Sequence, residues 1–547
     1  MHDRANEFST ILHGGQLLQH YMVDMFAAID QNRLHWLSQN QSQLRLSHVQ
    51  GMEDALNGNE DDHITLSNIG QRIFLPASYS GGPRDMHQRF QDSMAIAHHF
   101  KKIDIFLTIT ANPNWPEIKR ELLPTQQPHD RPDLIARIFK MKKDALMHLI
   151  TQKGIFGPCV AHIDANQFQK RGLPHTHILI FLEQNYKLST PAAVDEVICA
   201  RWPDPITQPH LFELVKKYML HGPCGKLNER SSCMRNGKCR FGFPKAFQDR
   251  TTLSDDGYPL YFRPNDGRAY MVNGFLYDNR WIAPYNPFCL EFMDGHANCE
   301  CTFSFWTTKY INKYLKRTTE TARLAIEDQN NEIKQYIQGR YFSDEESAWR
   351  IYAFPMHSQQ PSVAHLPIHL PGQQSITFHP NEDPQNVLNR ASQAESALTA
   401  FFAANQIQGP IGDLARQHTY QEFPEHFTFK SSTSPKQWQP RQQQFQLGRM
   451  VYIPPTAGER FYLRTLLTVV RGPRSFNDLL HVPGHPQPCE NFHDACVLRG
   501  LLEDDGEWVM CFEEASEMRT GASLRGLFST ALLFSGLNYP DRLWQAF

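Results

Sequence analysis

The sequence predicts an α+β fold, a sheet with helices on one face, and three observations lead there. Short apolar runs of strand length alternate with segments whose apolar residues recur at helical spacing. The runs at 103–109 and 178–182 are rich in Ile, Leu and Phe, as buried strands require. The segment 132–150 is amphipathic and has Pro132 in its first turn, where a missing N–H costs nothing.

The elements follow in order. Residues 8–57 show helical periodicity, with Leu17, Tyr21, Met25 and Ile29 as the stripe expected to dock. Residues 73–76 and 80–83 read as a strand and a turn, and 92–100 as a helix. Strands at 103–109, 160–163 and 177–182 flank the helix 132–150. Loop and helix occupy 191–218, and the Pro-, Gly- and Asn-rich stretch 243–290 reads as loops and hairpins. Cys299 and Cys301 alternate with Glu300 as strand core. After Arg317 the composition shifts, with Gln- and Pro-rich loops at 358–384 and 431–446 and a mainly helical remainder. These shifts divide the chain into a helical region 1–60, a central unit 61–320 and a mainly helical C-terminal module 321–547.

Composition excludes several classes. With 547 residues, 41% hydrophobic and 20% charged, the chain is an ordinary globular sequence of several domains. No apolar run reaches the ~18 residues that span a bilayer, and no basic-then-apolar leader opens the chain. The net charge of −3 supplies no global cationic field, so any nucleic acid must be held by local patches such as Lys170-Arg171. Eleven cysteines in so long a chain do not make a disulfide scaffold.

Three constellations carry chemistry. His175 and His177 stand at i and i+2 at the start of a strand, so both imidazoles point to one face. Neutral imidazole is the commonest metal ligand; the alternative is a hydrogen-bonding pair at a strand entrance. Further on, Tyr310, Lys313, Tyr314 and Arg317 form one helical stripe in the segment 301–317, which has four cations and no acid. Phenols among cations suit attack on a phosphodiester; the alternative is a solvated amphipathic helix. Between them, His221, Cys224, Cys233 and Cys239 lie among the turn residues Gly222, Pro223, Gly225, Asn236 and Gly237 within 211–247. Four such ligands fit a tetrahedral Zn²⁺, or else are reduced side chains scattered through a loop.

The paired histidines and paired tyrosines together resemble the HUH endonucleases that initiate rolling-circle replication. The surrounding phrases at 106–118, 168–175, 278–281, 284–287 and 454–462 are similar to the nuclease region of Helitron transposases. That resemblance spans nearly the whole chain. It implies an HUH-type sheet, Mg²⁺ or Mn²⁺ held by His175, His177 and a third residue, and Tyr310 and Tyr314 as nucleophiles, with Lys313 and Arg317 on phosphate. It further implies single-stranded transposon DNA as partner, a nuclear location and a cysteine-containing insertion, which favours Zn²⁺ at the His/Cys group. Relatives carry a glutamate where this chain has Gln167, which offers a carbonyl oxygen but no charge. Asp164 lies on the opposite strand face and does not replace it, and Thr176, also on that face, matters little. Full-length relatives continue into a helicase; no Gly-x-x-x-x-Gly-Lys-Ser/Thr phosphate loop occurs in these residues. The expected activity is therefore nicking and rejoining of single strands through phosphotyrosine. The alternatives are an inert single-strand-binding relic, and an unrelated metallohydrolase built on the His-x-His strand.

Overall fold

The apolar run that follows His177 sits at the centre of a five-stranded antiparallel sheet. In the computed structural model, strands β1 (Ile105–Thr110), β2 (Cys159–Phe168), β3 (Pro174–Leu182), β4 (Ala297–Cys301) and β5 (His357–Gln360) are ordered β4-β1-β3-β2-β5. The structure describes residues 9–40, 75–101, 103–168, 172–253, 259–301, 332–374, 395–442, 445–451, 453, 455–502, 509, 512–513, 524–525, 528–529, 532 and 543–545.

Period-two alternation divides the sheet into two faces. On the first, Ile105, Leu107, Ile109, Ile178, Ile180, Leu182, Cys299 and Cys301 pack in one core with Phe139, Leu146 and Ile150 of helix α3 (Pro132–Thr151). On the second, Ala161, Ile163, Ala165, Leu179 and Phe181 meet Ile96 and Ala97 of helix α2 (Pro83–Phe100). Helices thus lie on both faces, not on one as the sequence pattern predicts. The reason is visible in α2, where the buried apolar residues Phe90, Met94, Ile96 and Ala97 are interrupted by the buried polar residues Asp85, Asp92 and Ser93, so no continuous apolar stripe marks it as a core helix.

The first face also buries charge. Lys143 of α3 donates to Asp164 and, at 3.2 Å, to Asn166 of β2, and Thr176 donates to Asn166 at 2.5 Å. Removing one partner of a buried pair leaves the other uncompensated in low dielectric. Lys143→Met is therefore expected to cost about 3–5 kcal/mol, seen as a lower urea midpoint for the sheet-containing unit.

Helix α1 (Gln16–Gln39) belongs to the same core through Leu18 and Met22. Its buried stripe is Leu18, Met22, Phe26, Asp30, Leu34 and Leu37, one residue later than the stripe expected from sequence. Leu17, Tyr21 and Met25 face outward, with Leu17 75% exposed. The acid in the true stripe disguises it, since Asp30 is buried only because Tyr79 and Arg340 both donate to it.

The sheet-containing unit also reaches past residue 320, where the composition places its end. Strand β5 pairs with β2, and Ala348 and Trp349 of helix α4 (Asp344–Ile351) fill the first-face core. A second core gathers Leu398, Phe401, Tyr420, Phe423, Leu463 and Leu466. Its surroundings are mixed rather than mainly helical. Parallel strands β6 (Ser362–Leu366) and β7 (Gln446–Met450) and the hairpin Phe427–Lys430/Gln437–Pro440 come partly from stretches that read as Gln- and Pro-rich loops. Arg449 of β7 donates to Asp92 of α2 at 2.8 Å, a buried ion pair between the second core and the helix on the second sheet face.

Candidate functional site

Along the second face, apolar side chains give way to polar ones at one end of the sheet. On β3 the sequence Phe181, Leu179, His177, His175 places the two imidazoles on that face, just beyond the cover of α2. Register fixes their neighbours. His177 pairs with Ala165 on one side and Thr108 on the other, and His175 with Gln167 and Thr110. Directly paired residues share a face, so Gln167, His175 and His177 lie together at one end of that face. Thr176 and Asp164 lie on the opposite face, committed to the Lys143 network.

The two imidazoles are close together and fixed by their neighbours. Their ring centroids are 5.0 Å apart and nearly perpendicular, at 88°. Nδ1 of His177 is hydrogen-bonded to Oγ1 of Thr108 at 2.9 Å, and the ring stacks on Phe106 at 5.5 Å. An Nδ1 partner of this kind orients a histidine to ligate through Nε2. Burial, reinforced by the neighbouring His175, lowers His177 to about 3, and burial with His296 lowers His175 to about 4. Both rings are thus neutral at physiological pH, the form that coordinates a cation. Nδ1 of His175 is buried with no hydrogen-bond partner among the described residues. Gln167 is 7% exposed and brings an amide, not a charge, to this corner.

Tyr310, Lys313, Tyr314 and Arg317 lie outside the described residues. The strand that precedes them, β4, is in place against β1 and brings in side chains that the sequence reading passed over. Thr108 pairs with Asn298, and the Thr110 amide donates to the His296 carbonyl at 3.0 Å. His296 precedes a strand and follows a turn, and without the register it has no visible link to His175.

The His/Cys group forms a second centre. His221, Cys224, Cys233 and Cys239 each offer one ligand atom, and these lie within 4.8 Å of one another. It is the one such group of His, Cys, Asp or Glu among the described residues. Local sequence explains the convergence. Asn236 and Gly237 take φ of 49° and 74° between the two-residue strands Met234–Arg235 and Lys238–Cys239, the left-handed pair a tight hairpin demands. That turn places Cys239 beside Cys233, and His221 Nε2 stands 3.3 Å from Cys239 Sγ. The His221 ring stacks on Phe243 at 4.2 Å. Burial and hydrogen bonds to Cys233 and Cys239 push the Cys224 thiol up to about 12. Burial acts upward on Cys239 as well, yet backbone N–H groups of Phe243 and Phe241 leave it below its usual value. Donors aimed at a sulfur favour its thiolate, the form that binds metal.

Residues 1–180 match the family model described as the Helitron helicase-like domain at N-terminus. The chain carries a Helitron helicase-like N-terminal region. The match takes in β1, β2 and most of β3, and so Gln167, His175 and His177; the cysteine group and the tyrosines follow it. The match covers about a third of the chain and points to a Helitron transposase-related role for that region. No curated protein matches the chain. No helix among the described residues is long and apolar enough to cross a membrane.

Proposed function

We propose that this Helitron-like chain nicks and rejoins single-stranded DNA at the ends of a transposable element, in the nucleus, as an HUH-type nuclease. The observation that carries the proposal is the corner formed by His175, His177 and Gln167, two neutral imidazoles and an amide on one sheet face within the matched region. These residues would hold a divalent ion, Mg²⁺ or Mn²⁺, through two imidazole nitrogens and an amide oxygen. When bound, the ion polarises the scissile phosphate and offsets charge on its oxygens.

The phenol oxygen of Tyr310 or Tyr314 attacks phosphorus, the bond from phosphorus to the 3′ oxygen breaks, and the phenolic proton is passed on to that oxygen. The products are a 5′-phosphotyrosine and a 3′-hydroxyl. The second phenol repeats the exchange on another strand. Lys313 and Arg317 hold phosphate oxygens through charge-assisted hydrogen bonds. His221, Cys224, Cys233 and Cys239 hold a structural Zn²⁺ that orders a segment with little core of its own.

The test is a denaturing gel of the full chain with labelled single-stranded DNA and Mn²⁺. Wild type is expected to form a metal-dependent covalent adduct, and the double variant Tyr310→Phe, Tyr314→Phe to lose it at least 100-fold. An equal adduct from the double variant overturns the mechanism. Gln167 favours a second reading, an inert single-strand-binding relic, which predicts no adduct and DNA binding indifferent to metal. Gln167→Glu separates the two further, because it places a carboxylate opposite His175. It is expected to tighten Mn²⁺ binding by about 10–100-fold, measured by calorimetry on the zinc-loaded protein.

A further inference from the structure

We infer that His296 is the third histidine of this centre, so that the site gathers two imidazoles from β3 and one from the residue that precedes β4, and takes Mn²⁺ in preference to Mg²⁺. The inference rests on the nuclease reading above and names a ligand for the same site.

Register puts the residue there. His175 and His296 flank Thr110 on either side of β1, His175 as its paired residue and His296 through the Thr110 amide. Two strand spacings separate their backbones, about 9.6 Å. The residue between them is a threonine, small enough for two imidazoles to meet over it. The buried, unpartnered Nδ1 of His175 is a second and independent sign of an expected ligand among the described residues. The three rings do not converge as tightly as the His/Cys group.

A dedicated anchor holds His296 in place. The helix Pro287–Met293 ends at Asp294, which adopts left-handed backbone with φ 40°. Asn112 Nδ2 donates to the Asp294 carbonyl at 2.7 Å, and Trp115 Nε1 donates to the Met293 carbonyl at 2.5 Å. Trp115 is fully buried. At Gly295 an added Cβ would lie 3.3 Å from both Asn112 Cβ and the Thr110 carbonyl. The phrase Asn112-Pro-Asn-Trp115 thus clamps the turn that launches β4, and the first side chain after the clamp is His296. A turn needing only to close would not require two side-chain donors on consecutive carbonyls.

The donor set decides the metal. Imidazole nitrogen is a borderline ligand, whereas Mg²⁺ prefers hard, charged oxygens. With Gln167 in place of an acid, three imidazole nitrogens and one amide oxygen leave Mg²⁺ without the anionic ligand it most needs.

The experiment is a Mn²⁺ titration of the full, zinc-loaded chain, read by loss of the free Mn²⁺ signal in electron paramagnetic resonance, with no DNA present. Wild type is expected to bind one ion, and His177→Ala to weaken it more than 100-fold. His296→Ala is expected to weaken it at least tenfold, and Gln167→Ala less than threefold. His296→Glu guards against a folding defect, since a carboxylate reaching the same point should keep affinity within threefold of wild type or tighten it. A 100-fold excess of Mg²⁺ should fail to displace the bound Mn²⁺; full displacement overturns the preference. Wild-type affinity in His296→Ala, with affinity lost in His177→Ala, removes His296 from the site and leaves the nuclease reading standing. No binding by wild type, or binding indifferent to His177, overturns that reading and this inference with it.

Discussion

His177→Ala is expected to lower metal-dependent cleavage of single-stranded DNA by about 1,000-fold or more, while leaving the unfolding free energy within about 1 kcal/mol of wild type. The kinetic size follows from what is removed, because electrostatic stabilisation of a transferring phosphoryl group is commonly the largest single catalytic contribution. The structural effect is small because His177 stands where the second face turns polar, with Thr108 and Phe106 as neighbours instead of the main core. His177→Ala leaves Thr108 Oγ1 able to turn to water, so no buried donor is stranded. The readouts are single-turnover cleavage at saturating Mn²⁺ and equilibrium unfolding of the same preparation. Wild-type cleavage by His177→Ala would place the chemistry elsewhere on the molecule.

The second large effect concerns the His/Cys centre. If the proposed Zn²⁺ is held there, Cys224→Ser with Cys233→Ser is expected to abolish its binding and melt the segment from His221 to Lys245 into protease-sensitive chain. Both sulfurs are buried, and the strands beside them are only two residues long, so on the proposed reading the metal would add order to a segment short of regular structure. Structural Zn²⁺ in small sites contributes about 10–16 kcal/mol of apparent binding energy at neutral pH, far beyond what two such strands supply. Metal content by mass spectrometry and limited proteolysis before and after a strong chelator check this. A zinc-free wild-type chain that resists protease in this segment as well as the loaded one would rule the structural role out.

Much of the sheet is legible in the chain because its signals are local. The Ile- and Leu-rich runs around β1 and β3, the His-x-His spacing and the Asn-Gly turn each act within a few residues, and the structure contains them where the pattern puts them. The same locality explains the His/Cys group, where one hairpin and one turn bring four ligands together. What escaped depends on distant partners. The buried stripe of α1 contains Asp30, which looks like a surface residue until Arg340 pairs with it across 310 positions. Strand β5 consists of His357, Ser358, Gln359 and Gln360, a polar string that becomes a strand only because the β2 edge offers it hydrogen bonds. His296 is silent for a similar reason, since its neighbour His175 is reached only through the register of two ladders.

That late strand has a consequence for how the molecule comes into being. A nascent chain that has emerged only to residue 320 already contains β1 to β4 but leaves β2, with its ten residues from Cys159 to Phe168, as an open edge. Bare edges template pairing with other chains, and domains close as they leave the ribosome, N-terminal parts first. The polar strand β5 therefore acts as a seal that arrives after the sheet is built. Fragments ending at 320 should self-associate on expression, whereas fragments reaching past Gln360 should stay dispersed.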